Sequence, residues 1–268
     1  AVCSETQTVN AIGFSGRGAR TRVTTFMDKG LANSSCVQCG QCSVVCPTAA
    51  IAEKDQSQEV FAAIGDPGLA VVVQTAPAIR ASLGEALGMQ PGTLVTGKMV
   101  AALRRLGFSK VFDTQFAADL TIMEEGTELI QRLQNGGILP MITSCSPGWI
   151  NFIEAFYPSL LGHLSTCKSP QQMFGAVAKT YYAKAAGIAP EKMRVVSIMP
   201  CTAKKGEAKR PEMTAANRWW MEQQHLETLQ AADAGFDETS QDVDWALTTR
   251  ELARMIRLAG IDIAALPD

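Results

Sequence analysis

Four closely spaced cysteines constrain this chain more than any other feature of its sequence. They follow the pattern Cys36-x-x-Cys39-x-x-Cys42-x-x-x-Cys46, and Pro47 comes directly after the last of them. Three thiolates at this spacing can wrap a loop around one face of an iron-sulfur cubane, and the proline stops the chain from continuing at once as a helix. Zinc sites usually pair two short motifs, and disulfide frameworks are typical of small cysteine-rich chains. The spacing therefore predicts a [4Fe-4S] cluster.

The fourth cysteine of such a run has a separate role in ferredoxins that carry two clusters. There it ligates the other cluster, while a distant cysteine completes the cluster of the run itself. The expected ligands of the first cluster are Cys3, Cys36, Cys39 and Cys42. We expect Cys46 to serve a second cluster, and because no cysteine precedes Cys3, its partner ligands are expected upstream of Ala1. By this reasoning we expect the sequence to be a fragment truncated at its N-terminus.

Composition narrows the class of protein. The chain has 268 residues, 47% of them hydrophobic, which suits one large core with a small appended module. The formal net charge is −2 and the basic residues are scattered, so the sequence gives no electrostatic reason to expect binding to nucleic acid or to an anionic membrane. No apolar run approaches the roughly 20 residues of a membrane span.

Beyond a turn cluster at 65–68, short apolar runs alternate with segments of helical periodicity. Strands are expected at 69–73, 110–112, 139–142, 195–199 and 245–247. Helices are expected at 78–88, 98–106, 118–134, 147–156, 170–186 and 249–258. This alternation predicts an α/β fold with a parallel sheet, in which ligands bind beyond the carboxyl ends of the strands. Two expected strands, 139–142 and 195–199, lead directly into cysteine motifs, so we expect one shared site there.

These two cysteine motifs resemble signatures of the iron-only, or [FeFe], hydrogenases. Residues 143–149 read T-S-C-S-P-G-W, where the family usually has T-S-C-C-P-G-W. Residues 199–207 read M-P-C-T-A-K-K-G-E, which matches the family's M-P-C-x-x-K-x-x-E. Segments 121–128, 168–172 and 248–253 also fit, so the resemblance covers essentially the whole chain.

The resemblance implies a domain organisation. Residues 1–62 would be the end of a ferredoxin-like domain with two [4Fe-4S] clusters, and residues 63–268 the first half of the hydrogenase catalytic domain. A third family signature, with two further cysteines, is absent before Asp268, so the fragment alone is expected to be inactive. A polar segment at about 212–242, which contains Trp219 and Trp220, is expected to be a helical surface insertion with an aromatic anchor.

The family's cofactor is the H-cluster, a cubane joined through one cysteine to a two-iron subsite that carries carbonyl, cyanide and a dithiolate amine. By motif position, Cys201 is a ligand of this cubane. In the first signature the family's first cysteine relays protons and its second ligates the cubane, and here these positions are Cys145 and Ser146. Either Ser146 is the ligand, or Cys145 rotates into that role and Ser146 becomes the relay. The sequence leaves both open.

For proton delivery the resemblance points to Glu125, Ser165, Glu128 and Arg132. The two glutamates and the arginine are three and four residues apart, so on a helix they share one face. Periodicity alone favours an ordinary exposed salt-bridged face, and the resemblance favours the proton path.

Four other residues receive expectations from the resemblance. Lys204 matches a lysine that hydrogen-bonds a cyanide of the two-iron subsite, which suits a compact cation. Pro77 and Met199 match apolar or backbone contacts around the same subsite. Cys167 replaces what is usually a small residue and is expected in the core.

The implied function is reversible reduction of protons to hydrogen, in an anaerobic cytoplasm. Electrons would come from ferredoxin or from NAD(P)H-oxidising subunits through the clusters. The alternative is a hydrogenase-like protein without turnover that acts in iron-sulfur assembly or hydrogen sensing. Ser146 keeps this alternative open.

Overall fold

A computed structural model describes residues 1–227 and 240–268. The chain divides into two compact units. We call residues 1–54, 127–167 and 201–203 the cysteine unit, and residues 55–126, 168–200 and 204–268 the sheet unit.

The regular elements are defined by the following bounds. The strands are β1 Gly13–Ser15, β2 Arg22–Thr24, β3 Ala70–Thr75, β4 Lys110–Asp113, β5 Met193–Met199 and β6 Trp245–Thr248. The α-helices are α1 Gln41–Val44, α2 Ser57–Gly65, α3 Ile79–Ala86, α4 Thr96–Leu106, α5 Gln115–Gln134, α6 Pro147–Phe156, α7 Pro170–Val177, α8 Ala183–Ala186, α9 Ala203–Glu207, α10 Ala215–Glu227 and α11 Thr249–Leu258. A π-helical turn, Ala178–Tyr182, joins α7 to α8.

The sheet unit is built on a four-stranded parallel sheet in the order β4-β3-β5-β6. The inner strand β3 contains three consecutive valines, Val71 to Val73, and is buried along almost its whole length. Near-continuous apolar strands of this kind are typical of parallel sheets that are covered on both faces. The prediction of an α/β fold with a parallel sheet is therefore confirmed.

Alternation along the strands divides the apolar side chains between two cores. Val71 and Val73 of β3 pack into a core with helices α2, α3, α4 and α11, while Val72 packs into a second core with Phe174 of α7. Successive side chains of a strand point to opposite faces, so one strand supplies both cores. Gly107 ends α4 at a positive φ of 104°, a conformation that glycine adopts without strain.

The cysteine unit has little regular structure of its own. Strands β1 and β2 form a short antiparallel pair, and the buried apolar residues of one small cluster are Val9, Ala11 and Val37. Cys3, Cys36 and Phe152 pack against this cluster.

Most expected elements occur, and one expected strand was wrong. Residues 139–142 do not join the sheet; Ile142 makes an isolated parallel bridge with Leu164 instead. Pro140 lacks the N–H that a strand inside a ladder needs, which explains why an apolar run here does not extend into a strand.

The helices and strands do not decide two of the predicted domain boundaries. The boundary at residues 62/63 stays a prediction, although α2 packs in the sheet unit and the two units divide at residues 54/55. The expected insertion at 212–242 begins with α10, where the Trp220 indole donates to the Lys179 carbonyl at 2.7 Å. Residues 228–239 of that segment lie outside the described residues.

Glu251 organises the start of α11 from a fully buried position. Its carboxylate accepts from the Lys205 ammonium at 2.7 Å and from the backbone N–H groups of Gln56 and Thr248 at 2.8 and 2.7 Å. The Thr248 hydroxyl accepts in return from the Glu251 backbone, which completes a capping box. A carboxylate without exposure is tolerated only when partners replace its hydration in this way.

We predict that Glu251→Ala lowers the free energy of unfolding by about 3–5 kcal/mol, because it leaves the Lys205 charge buried without its partner. The measurement is urea denaturation followed by circular dichroism. The exposed Glu85→Ala on α3 is the matched control and should change stability by less than about 0.5 kcal/mol. Equal effects of the two substitutions would contradict the role assigned to Glu251.

Candidate functional site

The four cysteines expected to bind the first cluster line one cavity in the cysteine unit. Cys3 comes from the first turn of the chain, and Cys36, Cys39 and Cys42 come from the spaced run. Gln38 and Gly40 adopt positive φ angles of 60° and 74°, which bend the run so that its sulfurs can surround the cavity. No disulfide joins these cysteines, and the backbone N–H of Gln38 donates to the Cys36 sulfur at 3.4 Å.

The electrostatics of this cavity favour the binding of a positively charged group. Burial raises the pKa of the Cys36 and Cys42 thiols, and the charges of Cys39 and Cys3 raise both further. Several thiolates this close together repel one another unless a cation compensates them. Iron ions coordinated by sulfur supply that compensation, so the donor set fits a [4Fe-4S] cluster.

The cysteine run is held beside the second cysteine motif by a close backbone contact. The Thr202 hydroxyl donates to the Gln38 carbonyl at 2.6 Å. A Cβ atom added at Gly40 would lie 2.7 Å from the Thr202 hydroxyl oxygen, so only glycine fits there. This contact fixes Cys201, the neighbour of Thr202, next to the run.

A second cleft in the cysteine unit joins the two signature motifs to the cysteine run. Its lining includes Cys39, Ser146, Trp149 and Cys201. Ser146 is the N-cap residue of α6, yet its side chain makes no capping hydrogen bond. Cys145, the neighbouring residue, is exposed. Of the two candidate ligands in the first signature, the structure therefore places Ser146 on the cleft with Cys201.

The fit of a cofactor to this cleft rests on its donor groups. Cys201 offers a soft thiolate, which suits iron-sulfur ligation, while Ser146 offers a harder oxygen. The indole N–H of Trp149 is buried and has no acceptor among the described residues. A sulfide-bearing cluster in the cleft would give that donor a partner, so the lining is compatible with a cubane.

Cys46 lies apart from the first cavity and lines a neighbouring depression with Pro47 and Ile51. Hydrogen bonds from the Ile51 backbone and from the Thr48 side chain lower the pKa of the Cys46 thiol to about 7. A thiol with this pKa is readily available as a metal ligand. That Cys46 ligates a second cluster stays a prediction.

Glu128 of α5 is the centre of a hydrogen-bond network within the cysteine unit. The Arg132 guanidinium donates to it at 2.6 Å, and the Ser165 hydroxyl at 2.7 Å. Burial alone would raise the pKa of Glu128, but the donors from Ser165, Arg132 and Thr166 together hold it below its usual range. The structure thus brings together three of the four residues expected in the proton path.

The first signature lies alongside the segment that carries Ser165. The backbone N–H of Ile142 donates to the His163 carbonyl at 2.8 Å, and that of Ser165 to the Ile142 carbonyl at 2.7 Å. The Ser144 hydroxyl donates to the Cys167 carbonyl at 2.7 Å. Cys145 therefore follows a segment that is tied directly to the Glu128 network.

Cys167 differs from the sequence expectation. It is half-buried rather than part of the apolar core, and its sulfur lies 3.6 Å from Glu128 Oε2. Its place two residues after Ser165 was the signal that could have identified it.

The remaining expected site residues belong to the sheet unit. Pro77 follows β3, Met199 ends β5, and Lys204 lies on α9 just beyond. The Lys204 ammonium pairs with Glu207 at 2.9 Å, and Gln171 donates to the same carboxylate at 3.0 Å. Glu125 lies on α5 in the part assigned to this unit. Pro77 and Met199 lie at the carboxyl ends of neighbouring parallel strands, at the edge where α/β sheets bind ligands.

Comparison with known proteins agrees with these motifs. The family model "Iron only hydrogenase large subunit, C-terminal domain" matches residues 69–268, and a 4Fe-4S binding domain matches residues 33–52. The NADP-reducing hydrogenase subunit HndD of Solidesulfovibrio fructosivorans is 48% identical over 100% of this chain and 43% of its own length. Iron hydrogenase 1 of Clostridium pasteurianum is 46% identical over 83% of this chain and 35% of its own length.

Solved structures are similar as well. An apo form of the [FeFe]-hydrogenase HydA1 from Chlamydomonas reinhardtii superposes with a TM-score of 0.67 at 43% identity, over 80% of this chain and 50% of that one. A more distant relative, cytosolic iron-sulfur assembly component 3 of Pongo abelii, is 30% identical over 88% of this chain and 47% of its own length. The chain thus spans half or less of the length of each of these four proteins. In the part that the structure describes, no helix is long and apolar enough to cross a membrane.

We predict that Cys36→Ala in the intact protein removes one cluster, and with it about four iron atoms per molecule, because three thiolates then remain around the cavity. Iron analysis of the anaerobically purified protein measures this loss. Cys167→Ser, which also removes one thiol but lies outside the cavity, is the matched control and should keep its iron. Unchanged iron in Cys36→Ala would show that the cavity does not hold the cluster.

Proposed function

The chain belongs to the family of iron-only hydrogenase large subunits, and we propose that it forms part of a site where protons and electrons combine reversibly into molecular hydrogen. The observation that carries the proposal is the cleft lined by Cys39, Ser146 and Cys201, because it joins the cluster loop to both signature motifs. Since the chain spans 43% of its NADP-reducing relative, the proposed activity is that of the intact protein.

Electrons would reach the cleft from the [4Fe-4S] cluster of the cysteine cavity. Cys39 lines both the cavity and the cleft. A cluster in the cavity and a redox group in the cleft would both adjoin Cys39, and this proximity favours electron transfer between them. The Cys46 thiolate would hold a further cluster on the same route.

The cleft would hold the cubane of an H-cluster through the Cys201 thiolate and the Ser146 oxygen. When bound, the H-cluster supplies the redox-active irons at which hydrogen forms. Lys204, whose ammonium pairs with the Glu207 carboxylate at 2.9 Å, would hydrogen-bond a cyanide ligand as a compact cation beside an anionic group. Pro77 and Met199 would contribute apolar or backbone contacts.

Protons would move through side chains that can both hold and release them. Arg132 and Ser165 keep Glu128 charged and oriented, and the Ser165 hydroxyl can pass a proton to or from its carboxylate. Glu125 and Cys145 would be the next carriers towards the reacting irons. Cys145 is exposed in the cysteine unit.

For the electron partner we propose only a class of protein. The name of the NADP-reducing relative favours an NAD(P)H-linked partner subunit, and the 4Fe-4S motif is equally compatible with ferredoxin. A cytoplasmic location without oxygen would keep the thiols reduced.

A second candidate function is iron-sulfur assembly or hydrogen sensing without turnover. Two observations favour it: Ser146 replaces a thiolate on the cleft, and a cytosolic iron-sulfur assembly component is a distant relative. The higher identity to hydrogenases makes hydrogen turnover the leading proposal.

We predict that the matured intact protein shows infrared stretching bands of metal-bound carbonyl and cyanide and that hydrogen uptake accompanies them. These bands report the two-iron subsite directly and do not depend on the electron partner. Cubanes without the bands and without hydrogen turnover would contradict the proposal and favour the assembly or sensing function.

We predict that Ser146→Ala and Cys201→Ala each lower the iron content of the cubane in the cleft, whereas Cys145→Ala leaves it unchanged. The reason is that Ser146 and Cys201 line the cleft, whereas Cys145 is exposed and is not among its lining residues. Ser146→Cys, which restores a soft ligand, should retain at least as much iron as the parent. Iron analysis with electron paramagnetic resonance measures the cubane. Loss of iron in Cys145→Ala with retention in Ser146→Ala would assign the ligand role to Cys145 instead.

A further inference from the structure

Cys167 faces the carboxylate at the centre of the Glu128 network. Its sulfur lies 3.6 Å from Glu128 Oε2, within the range for a thiol that donates to a carboxylate. The Ser165 hydroxyl donates to the same oxygen at 2.7 Å. Two proton-bearing side chains therefore share one carboxylate oxygen.

We propose that the Cys167 thiol is a positioning donor that stabilises the charged form of Glu128 and lowers its affinity for a proton. The importance of this thiol for hydrogen chemistry rests on the function proposed above. The hydrogen bond between Cys167 and Glu128 does not depend on that function.

The backbone of Cys167 also fixes the direction of the neighbouring hydroxyl. Its N–H donates to Ser165 Oγ at 3.1 Å. Because that oxygen accepts from Cys167, the Ser165 hydrogen is left to point at Glu128. The Cys167 carbonyl accepts from Ser144 at 2.7 Å, which anchors this residue to the segment of the first signature.

The other groups that face Glu128 are fixed independently of the Cys167 thiol. Arg132, on the same helix, is the charged partner, and it also donates to the carbonyls of Gly162 and Leu164 at 3.2 and 2.6 Å. Ser165 and the Thr166 N–H face Glu128 from the opposite segment. Removing the Cys167 thiol leaves these partners in place, so its contribution can be measured separately.

The sign of the effect follows from the charge state that the thiol favours. A donor stabilises the carboxylate more than the neutral acid and therefore lowers the pKa of Glu128. Loss of that donor raises the pKa. A thiol is a weak donor, so we expect Cys167→Ala to raise the Glu128 titration midpoint by about 0.5–1 pH unit.

Infrared spectroscopy of the intact protein tests the proposal in two ways. The S–H stretching band that disappears in Cys167→Ala should lie at the frequency of a hydrogen-bonded thiol in the parent. It should shift towards the frequency of a free thiol in Glu128→Gln, because a neutral amide oxygen accepts more weakly than a carboxylate. Glu124→Gln, which changes an exposed carboxylate of the same helix, is the matched control and should leave the band unchanged.

The carboxyl stretching band of protonated Glu128, assigned by its loss in Glu128→Gln, gives the titration midpoint. We expect this midpoint to rise in Cys167→Ala and to return towards the parent value in Cys167→Ser, which keeps a donor. A parent band at the free-thiol frequency, or an unchanged midpoint in Cys167→Ala, would overturn the proposal. A hydrogen-bonded thiol with the expected midpoints in a protein without hydrogen turnover would support it and contradict the proposed function.

Discussion

The cost of deprotonating clustered cysteines is the constraint on which the cysteine unit depends. Its small apolar cluster of Val9, Ala11 and Val37 is a modest source of hydrophobic stabilisation. Burial and neighbouring sulfurs raise the pKa of Cys36 and Cys42, so converting these groups to thiolates costs free energy until a cation compensates their charge. Metal-ligand bonds then become folding free energy. The fold of this unit and its redox chemistry therefore have the same origin.

The sheet unit is stabilised in a different way. Its parallel strands place apolar side chains on two faces, and helices cover both. Buried charges such as Glu251 are each surrounded by donors, which offsets the cost of removing them from water. This unit has an apolar framework in which carboxylates and ammonium groups fix helix starts, and Lys204 and Glu207 follow the same principle next to a strand end.

The sequence predicted the elements whose signal is local and missed features that depend on distant partners. The apolar runs of β3 and β5 and the periodicity of α5 and α11 sufficed to locate them, as did the cysteine spacing for the cavity. The strand expected at 139–142 was wrong because pairing depends on what lies beside it, and there it is Leu164 that bridges Ile142. Cys167 was assigned to the core from its residue type, which carries no information about Glu128.

Cysteine has several chemistries in this chain, and the neighbours of each sulfur select among them. Around the cavity, sulfurs face other sulfurs, so the charged forms are stable only with a metal. Cys167 faces a carboxylate that also accepts from Arg132, and there the thiol hydrogen can donate to that carboxylate. The same dependence on chemical type applies to Ser146 in the cleft. A hydroxyl gives up its proton far less readily than a thiol, so binding through its oxygen requires more from the iron than binding through Cys201 does. Under the proposed ligation by Ser146, cluster affinity would therefore be linked to proton release from its hydroxyl.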